Sequence, residues 1–169
     1  DVDDRGDLVC TGGTGIVTVN QVLGSAAIRD GRAVHGVDQT GLSQKAGPVV
    51  SHLRIAGSAD ALGPANRVGQ AAAGCYLAFD ALVGADSRYL GYASPQDTTA
   101  IVSTGSVPTG SMVRDATVPA PDPAALVERI SAACASVVTM DAAAAALALF
   151  GDTMPANLMP VSYTHLTLP

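Results

Sequence analysis

The alternation of apolar and polar positions divides this chain into strands and helices that follow one another in turn. Leu8–Thr11 reads as a short buried strand, and Ile16 to Arg29 as a helix. Its apolar residues Ile16, Val19, Val22, Leu23, Ala26 and Ala27 recur on one helical face, and Gly31 marks its stop. Ala33–Val37 is a second strand. Val49–Ile55 is a third, mixing a buried half with the polar positions Ser51, His52 and Arg54. Gly57–Gly63 reads as a loop of small residues, and Cys75–Phe79 as a fourth strand followed by Asp80 and an alanine-rich turn. Ser87–Ala93 is expected to be helical, Ala100–Ser103 a fifth strand, and 105–110 a loop. Repeated proline over Pro119–Pro123 predicts a connector. A helix over Ala124–Cys134, with Leu126, Val127, Ile130 and Ala133 inward, a sixth strand Val137–Met140 and a helix Ala142–Phe150 complete the pattern.

Strands alternating with helices imply a three-layer α/β/α domain around a mostly parallel or mixed sheet, with a Rossmann-like start. The 169 residues suffice for one domain with a sizeable core, and 48% hydrophobic content argues against disorder. No apolar run approaches the roughly 20 residues that cross a bilayer, and the opening lacks a basic start with an apolar stretch. A cytoplasmic protein with no membrane partner is the expectation. A net charge of −6 makes nucleic acid a poor partner. Cys10, Cys75 and Cys134 are far apart, without a CxxC or Cys/His grouping, so no metal centre of the chain's own is expected. Residues 161–169 resemble a translated sequencing adapter. They are set aside as a scar, which leaves residues 1–160 as one domain, a fragment of a longer protein.

Candidate chemistry gathers in two loops. Gly12-Gly13-Thr14-Gly15 lies between the first strand and the first helix. Glycines there let the backbone approach a ligand closely, and the first helical amides favour a phosphate or carboxylate. A tight turn with no ligand has the same pattern. The second loop, Thr40-Gly41-Leu42-Ser43-Gln44-Lys45-Ala46-Gly47, contains the single lysine among eight arginines. Lys45 could neutralise an anion, with Thr40, Ser43 and Gln44 as donors, or it could be a solvated surface lysine. Both loops follow strand ends and are expected to meet on one edge of the sheet, where such folds place ligands. Asp38 stands where a dinucleotide fold puts its ribose-binding acid. His52 and Arg54 share a strand face and could orient an anionic substrate or pair with Asp38 at a subunit contact; a hydrogen-bonded, partly buried histidine is the alternative. His35, inside a β run, is expected to be structural. No nucleophile with its base is identifiable, so the catalytic residues are unknown from sequence.

Taken together, Gly12-Gly13-Thr14-Gly15-Ile16-Val17-Thr18 and the stretch from Asp38 to Arg54 are far more specific than either loop alone. They resemble the gamma-type domain of the 2-oxoacid:ferredoxin oxidoreductases, and within that family the indolepyruvate branch. Asn66-Arg67-Val68, Cys75–Asp80, Val107-Pro108-Thr109-Gly110, Gly151-Asp152 and Asn157-Leu158-Met159 share the resemblance, which spans roughly residues 7–159. Ala46-Gly47-Pro48 departs from the family's usual two glycines and a small residue. The resemblance implies oxidative decarboxylation of a 2-oxoacid with coenzyme A as co-substrate and ferredoxin as electron acceptor. It implies thiamine diphosphate and iron–sulfur clusters in partner domains or subunits, none bound by this domain, and an oligomeric enzyme. The substrate or coenzyme A candidates are Gly12, Gly13, Thr14, Gly15, Thr40, Gly41, Gln44, Lys45, His52 and Arg54. A non-catalytic dinucleotide-binding or regulatory module, gripping a ribose through Asp38, is the alternative.

Overall fold

In the computed structural model, residues 5–12, 15–40, 48–105 and 121–161 are described. Strand β1 (Arg5–Gly12) leads into helix α1 (Ile16–Arg29), which returns the chain to β2 (Ala33–Thr40). Then come β3 (Val49–Ala56), β4 (Cys75–Ala78), β5 (Thr99–Ser103) and β6 (Ser136–Met140). Among the described residues they form a six-stranded sheet in the order β2-β3-β1-β4-β5-β6. β1, β4, β5 and β6 run parallel, whereas β3 is antiparallel to both of its neighbours. The sheet is thus mixed. Eight residues separate β2 from β3, too few for the dozen or more that a parallel crossover needs, so the chain reverses and pairs antiparallel.

The strand period of two sorts the core into two layers. Val9 on β1 faces one side with Tyr76, Ala78, Ala100 and Val102, packed against Ala81, Ala85, Leu126, Ile130 and Cys134. Cys10 faces the other with Leu53, Leu77, Phe79 and Ile101, covered by Ile16, Val19 and Leu23 of α1. Central parallel strands buried on both faces read as continuous apolar runs, as Cys75–Ala78 does. β6, at the sheet edge, is only partly covered.

Short helices fill the connections. The segment expected to be an irregular loop of small residues contains α2 (Ala59–Leu62), started by Ser58, whose side chain accepts from the Ala61 amide. The alanine-rich turn after β4 is helix α3 (Ala81–Gly84), capped by Asp80. The helix predicted over Ser87–Ala93 is the single turn α4 (Ser87–Leu90). Helix α5 (Pro123–Ser131) begins with proline in its first turn, where the missing N–H costs nothing, and is shorter than expected. Helix α6 (Ala142–Phe150) has its predicted bounds, and a 3-10 turn, Met154–Asn157, follows. Residues 158–161 are helical, and Val161 packs into the α1-side core layer. The rest of the tail set aside as a scar, 162–169, lies outside the described residues.

Candidate functional site

The carboxyl end of β1 reaches the rim at Gly12. Its φ is +154°, and a Cβ there would lie 3.1 Å from both Ile16 Cδ1 and Phe79 Cβ and 3.4 Å from the Asp80 amide nitrogen. A side chain there would require the start of α1 and the β4–α3 turn to give by a few tenths of an ångström. Gly15, with φ +90°, immediately precedes α1, and a Cβ on it would run into the Asn157 side-chain amide. The N-cap of α1 is Gly15, which has no side chain to cap the helix, and the first turn has no acidic residue. A helix start of this kind is suited to an anion.

The cross-strand register puts Gly12 opposite Val49, and Val49 opposite Thr40. The described flanks of both glycine loops thus leave one rim, roughly 10 Å apart because β3 lies between β1 and β2. Gly13, Thr14, Gly41, Gln44 and Lys45 lie outside the described residues, as does most of the predicted 105–110 loop.

Asp38 stands near this rim on the α1 side. It accepts hydrogen bonds from Asn20 Nδ2 at 2.8 Å and from the Ser51 hydroxyl. A dinucleotide fold pairs its second strand directly with its first, whereas β3 intervenes here and moves Asp38 one strand further from the glycine turn.

His52 and Arg54 point to the opposite face. Within the chain, Arg54 is paired with Asp7. Its Nε donates to Asp7 Oδ1 at 3.1 Å, with the two side chains 7% and 11% exposed. Its Nη1 donates to the Ala65 carbonyl at 2.5 Å, and His35 Nδ1 stands 3.1 Å from the same oxygen. Arg54 is thereby fixed inside the domain, tying β3 to β1 and to the segment after α2. His35 is held against the same segment by that contact.

His52 is fully buried, and neither ring nitrogen has a hydrogen-bond partner among the described residues. Its ring meets Tyr92 edge to face, with centroids 4.9 Å apart. Burial, reinforced by the positive charge of Arg67, pulls its pKa down from 6.5 to about 4, so the imidazole is neutral near pH 7. Arg67 Nη2 donates to Gln39 Oε1 at 3.0 Å and to the Tyr92 hydroxyl at 3.4 Å. Sequence reasoning missed this grouping. Its signal was an arginine standing in a segment of small and polar residues, Gly63-Pro64-Ala65-Asn66-Arg67.

The cysteines do not fit an iron–sulfur cluster. All are buried, and burial raises each thiol, with Cys75 at about 12 and Cys134 at about 11. No group of three metal-binding side chains occurs among the described residues. Nor, among them, is any helix long and apolar enough to cross a membrane.

Residues 8–162 match the family model described as pyruvate ferredoxin/flavodoxin oxidoreductase. The chain belongs to that family. Two solved structures share the fold of this family member. One is the pyruvate oxidoreductase subunit PORC of Thermotoga maritima, with a TM-score of 0.61 at 15% identity, covering 97% of this chain and 77% of that one. The other is the gamma subunit of a keto/oxoacid ferredoxin oxidoreductase from Geobacter sulfurreducens PCA, with a TM-score of 0.56 at 15% identity, covering 96% and 76%. No curated protein matches the chain.

Proposed function

We propose that this chain is the gamma-type component of a 2-oxoacid:ferredoxin oxidoreductase of the indolepyruvate branch. The reaction is oxidative decarboxylation of an aryl or branched 2-oxoacid: the acid loses carbon dioxide, the acyl group becomes a coenzyme A thioester, and two electrons pass to ferredoxin. Family membership over residues 8–162 supports the oxidoreductase part of this reading, and the resemblance of residues 12–18 and 38–54 the choice of branch. Thiamine diphosphate would supply the stabilised carbanion for decarboxylation, and iron–sulfur clusters the electron path, both in partner domains or subunits of a cytoplasmic, oligomeric enzyme.

The contribution of this chain is to bind and orient an anion. Gly12, Gly13, Thr14 and Gly15 let backbone amides approach the phosphates of coenzyme A or the substrate carboxylate, with the glycine-capped start of α1 behind them. Thr40, Gly41 and Gln44 supply donors from the second loop, and Lys45 the positive charge. His52 and Arg54 support the sheet beneath the rim without touching the anion, since both are buried and Arg54 is paired with Asp7. The dinucleotide-binding alternative loses support from the strand inserted between β1 and the strand bearing Asp38.

The test is ferredoxin reduction by the complex purified with its partner subunits. Reduction should require both indolepyruvate and coenzyme A. Tight NAD binding by the chain, with no coenzyme A dependence in the complex, would refute the reading.

A further inference from the structure

Asn157 reaches the glycine rim from the other end of the chain. Helix α6 stops at Gly151, whose φ of +71° is the left-handed conformation that glycine adopts without strain. The 3-10 turn Met154–Asn157 then packs against α6 and carries Asn157 over the start of α1. The approach is close: a Cβ on Gly15 would lie 2.4 Å from Asn157 Nδ2, 3.4 Å from its Cγ and 3.7 Å from its Cβ. The Asn157 amide thus occupies the space that any side chain at position 15 would need.

That space is where α1 begins. Gly15 is its N-cap, with a φ of +90° that disfavours other residues by strain as well as by contact. The Gly15 carbonyl accepts from the Val19 amide at 3.1 Å and so closes the first turn, with the amides of Ile16, Val17 and Thr18 ahead of that bond. Asn157 lies against the residue that aims those amides. A hydrocarbon side chain would pack on Gly15 equally well, whereas an amide nitrogen brings two donors to the same end of the helix. The side chain is half-buried, so its polarity is less screened than in open water.

We infer that Asn157 is a positioning residue for the oxyanion at this rim. By filling the space over Gly15 it fixes the glycine cap and the first α1 amides, and its own amide adds positive polarity beside them. Chemistry identifies the ligand group as a phosphate or a carboxylate. The inference rests on the anion-binding role proposed above for the glycine turn, and it is independent of Lys45.

The experiment uses the complete enzyme with its partner subunits. KM and kcat are measured with coenzyme A varied and with indolepyruvate varied, alongside urea unfolding of the full chain. Asn157→Asp keeps the shape and exchanges the amide for a carboxylate, which favours a helix start but repels a bound anion. The expected result is a KM raised about tenfold or more for one of the two reactants, with kcat nearly unchanged and the unfolding midpoint unchanged or raised. A move in the coenzyme A value identifies a phosphate, and a move in the indolepyruvate value a carboxylate. Asn157→Ala should raise the same KM about threefold, and Asn157→Ser, which retains a donor, should fall between it and the parent. Lower stability with both KM values unchanged would mean packing alone and would overturn the inference. A parent enzyme that reduces ferredoxin without coenzyme A overturns the proposed function and this inference together. A coenzyme A-dependent parent whose Asn157 variants keep both KM values overturns the inference alone.

Discussion

Acidification should weaken the fold through His52 in particular. In the unfolded chain this imidazole titrates near 6.5, while burial and Arg67 hold it to about 4 in the folded domain. Between those values the unfolded state binds the extra proton, so stability falls as pH falls. The contribution is complete above about pH 6.5, declines as pH drops below that value, and is gone once pH passes through the folded value near 4. A gap of about 2.5 between the two, at about 1.4 kcal/mol for each, amounts to about 3 kcal/mol. Carboxylates titrate over the same range, so the assay compares the parent with His52→Leu, an apolar residue of similar size. Urea unfolding of both at pH 7, 6, 5 and 4 gives the difference directly. His52→Leu should gain on the parent by about 3 kcal/mol across that range. Parallel curves would refute a buried neutral imidazole at this position.

Two further outcomes follow from packing. Gly12→Ala forces a Cβ to within 3.1 Å of Ile16 Cδ1 and Phe79 Cβ at a φ of +154°, so it should cost about 1–3 kcal/mol in denaturant unfolding and weaken anion binding at the rim. Cys10, Cys75 and Cys134 are buried with raised thiols, and a thiol-specific chromogenic reagent at pH 8 should label them at the rate of unfolding, much faster in urea. Fast labelling of a native cysteine would contradict that burial.

Much of the architecture was legible because local signals agreed. α1 occupies the predicted Ile16 to Arg29, where apolar periodicity and a following glycine coincide, and α6 has its predicted bounds over an alanine run. The one-turn helices α2 and α3 escaped notice because four residues carry too little periodicity; their caps, Ser58 and Asp80, were the available sign. The reversal of β3 was readable from the eight-residue gap before it, since a parallel return needs more chain.

The site was legible to a lesser degree. That both glycine loops spring from one rim followed from strand order, and the described flanks Gly12, Val49 and Thr40 align there. The partner of Arg54 did not follow, because Asp7 is 47 positions away and the two meet only through β1–β3 pairing. Arg67 meets Gln39 and Tyr92 across 28 and 25 positions for the same kind of reason. Long-range pairing decides which polar groups are consumed by the fold and which remain for a ligand. Residue type and spacing do not encode it.

The central claim is that the glycine turn and Lys45 jointly hold the anionic reactant. The most direct measurement is steady-state kinetics of Lys45→Ala in the complete enzyme with coenzyme A varied. Loss of one charge-assisted contact predicts a KM for coenzyme A raised about tenfold or more. A variant with unchanged coenzyme A affinity and unchanged turnover would contradict it.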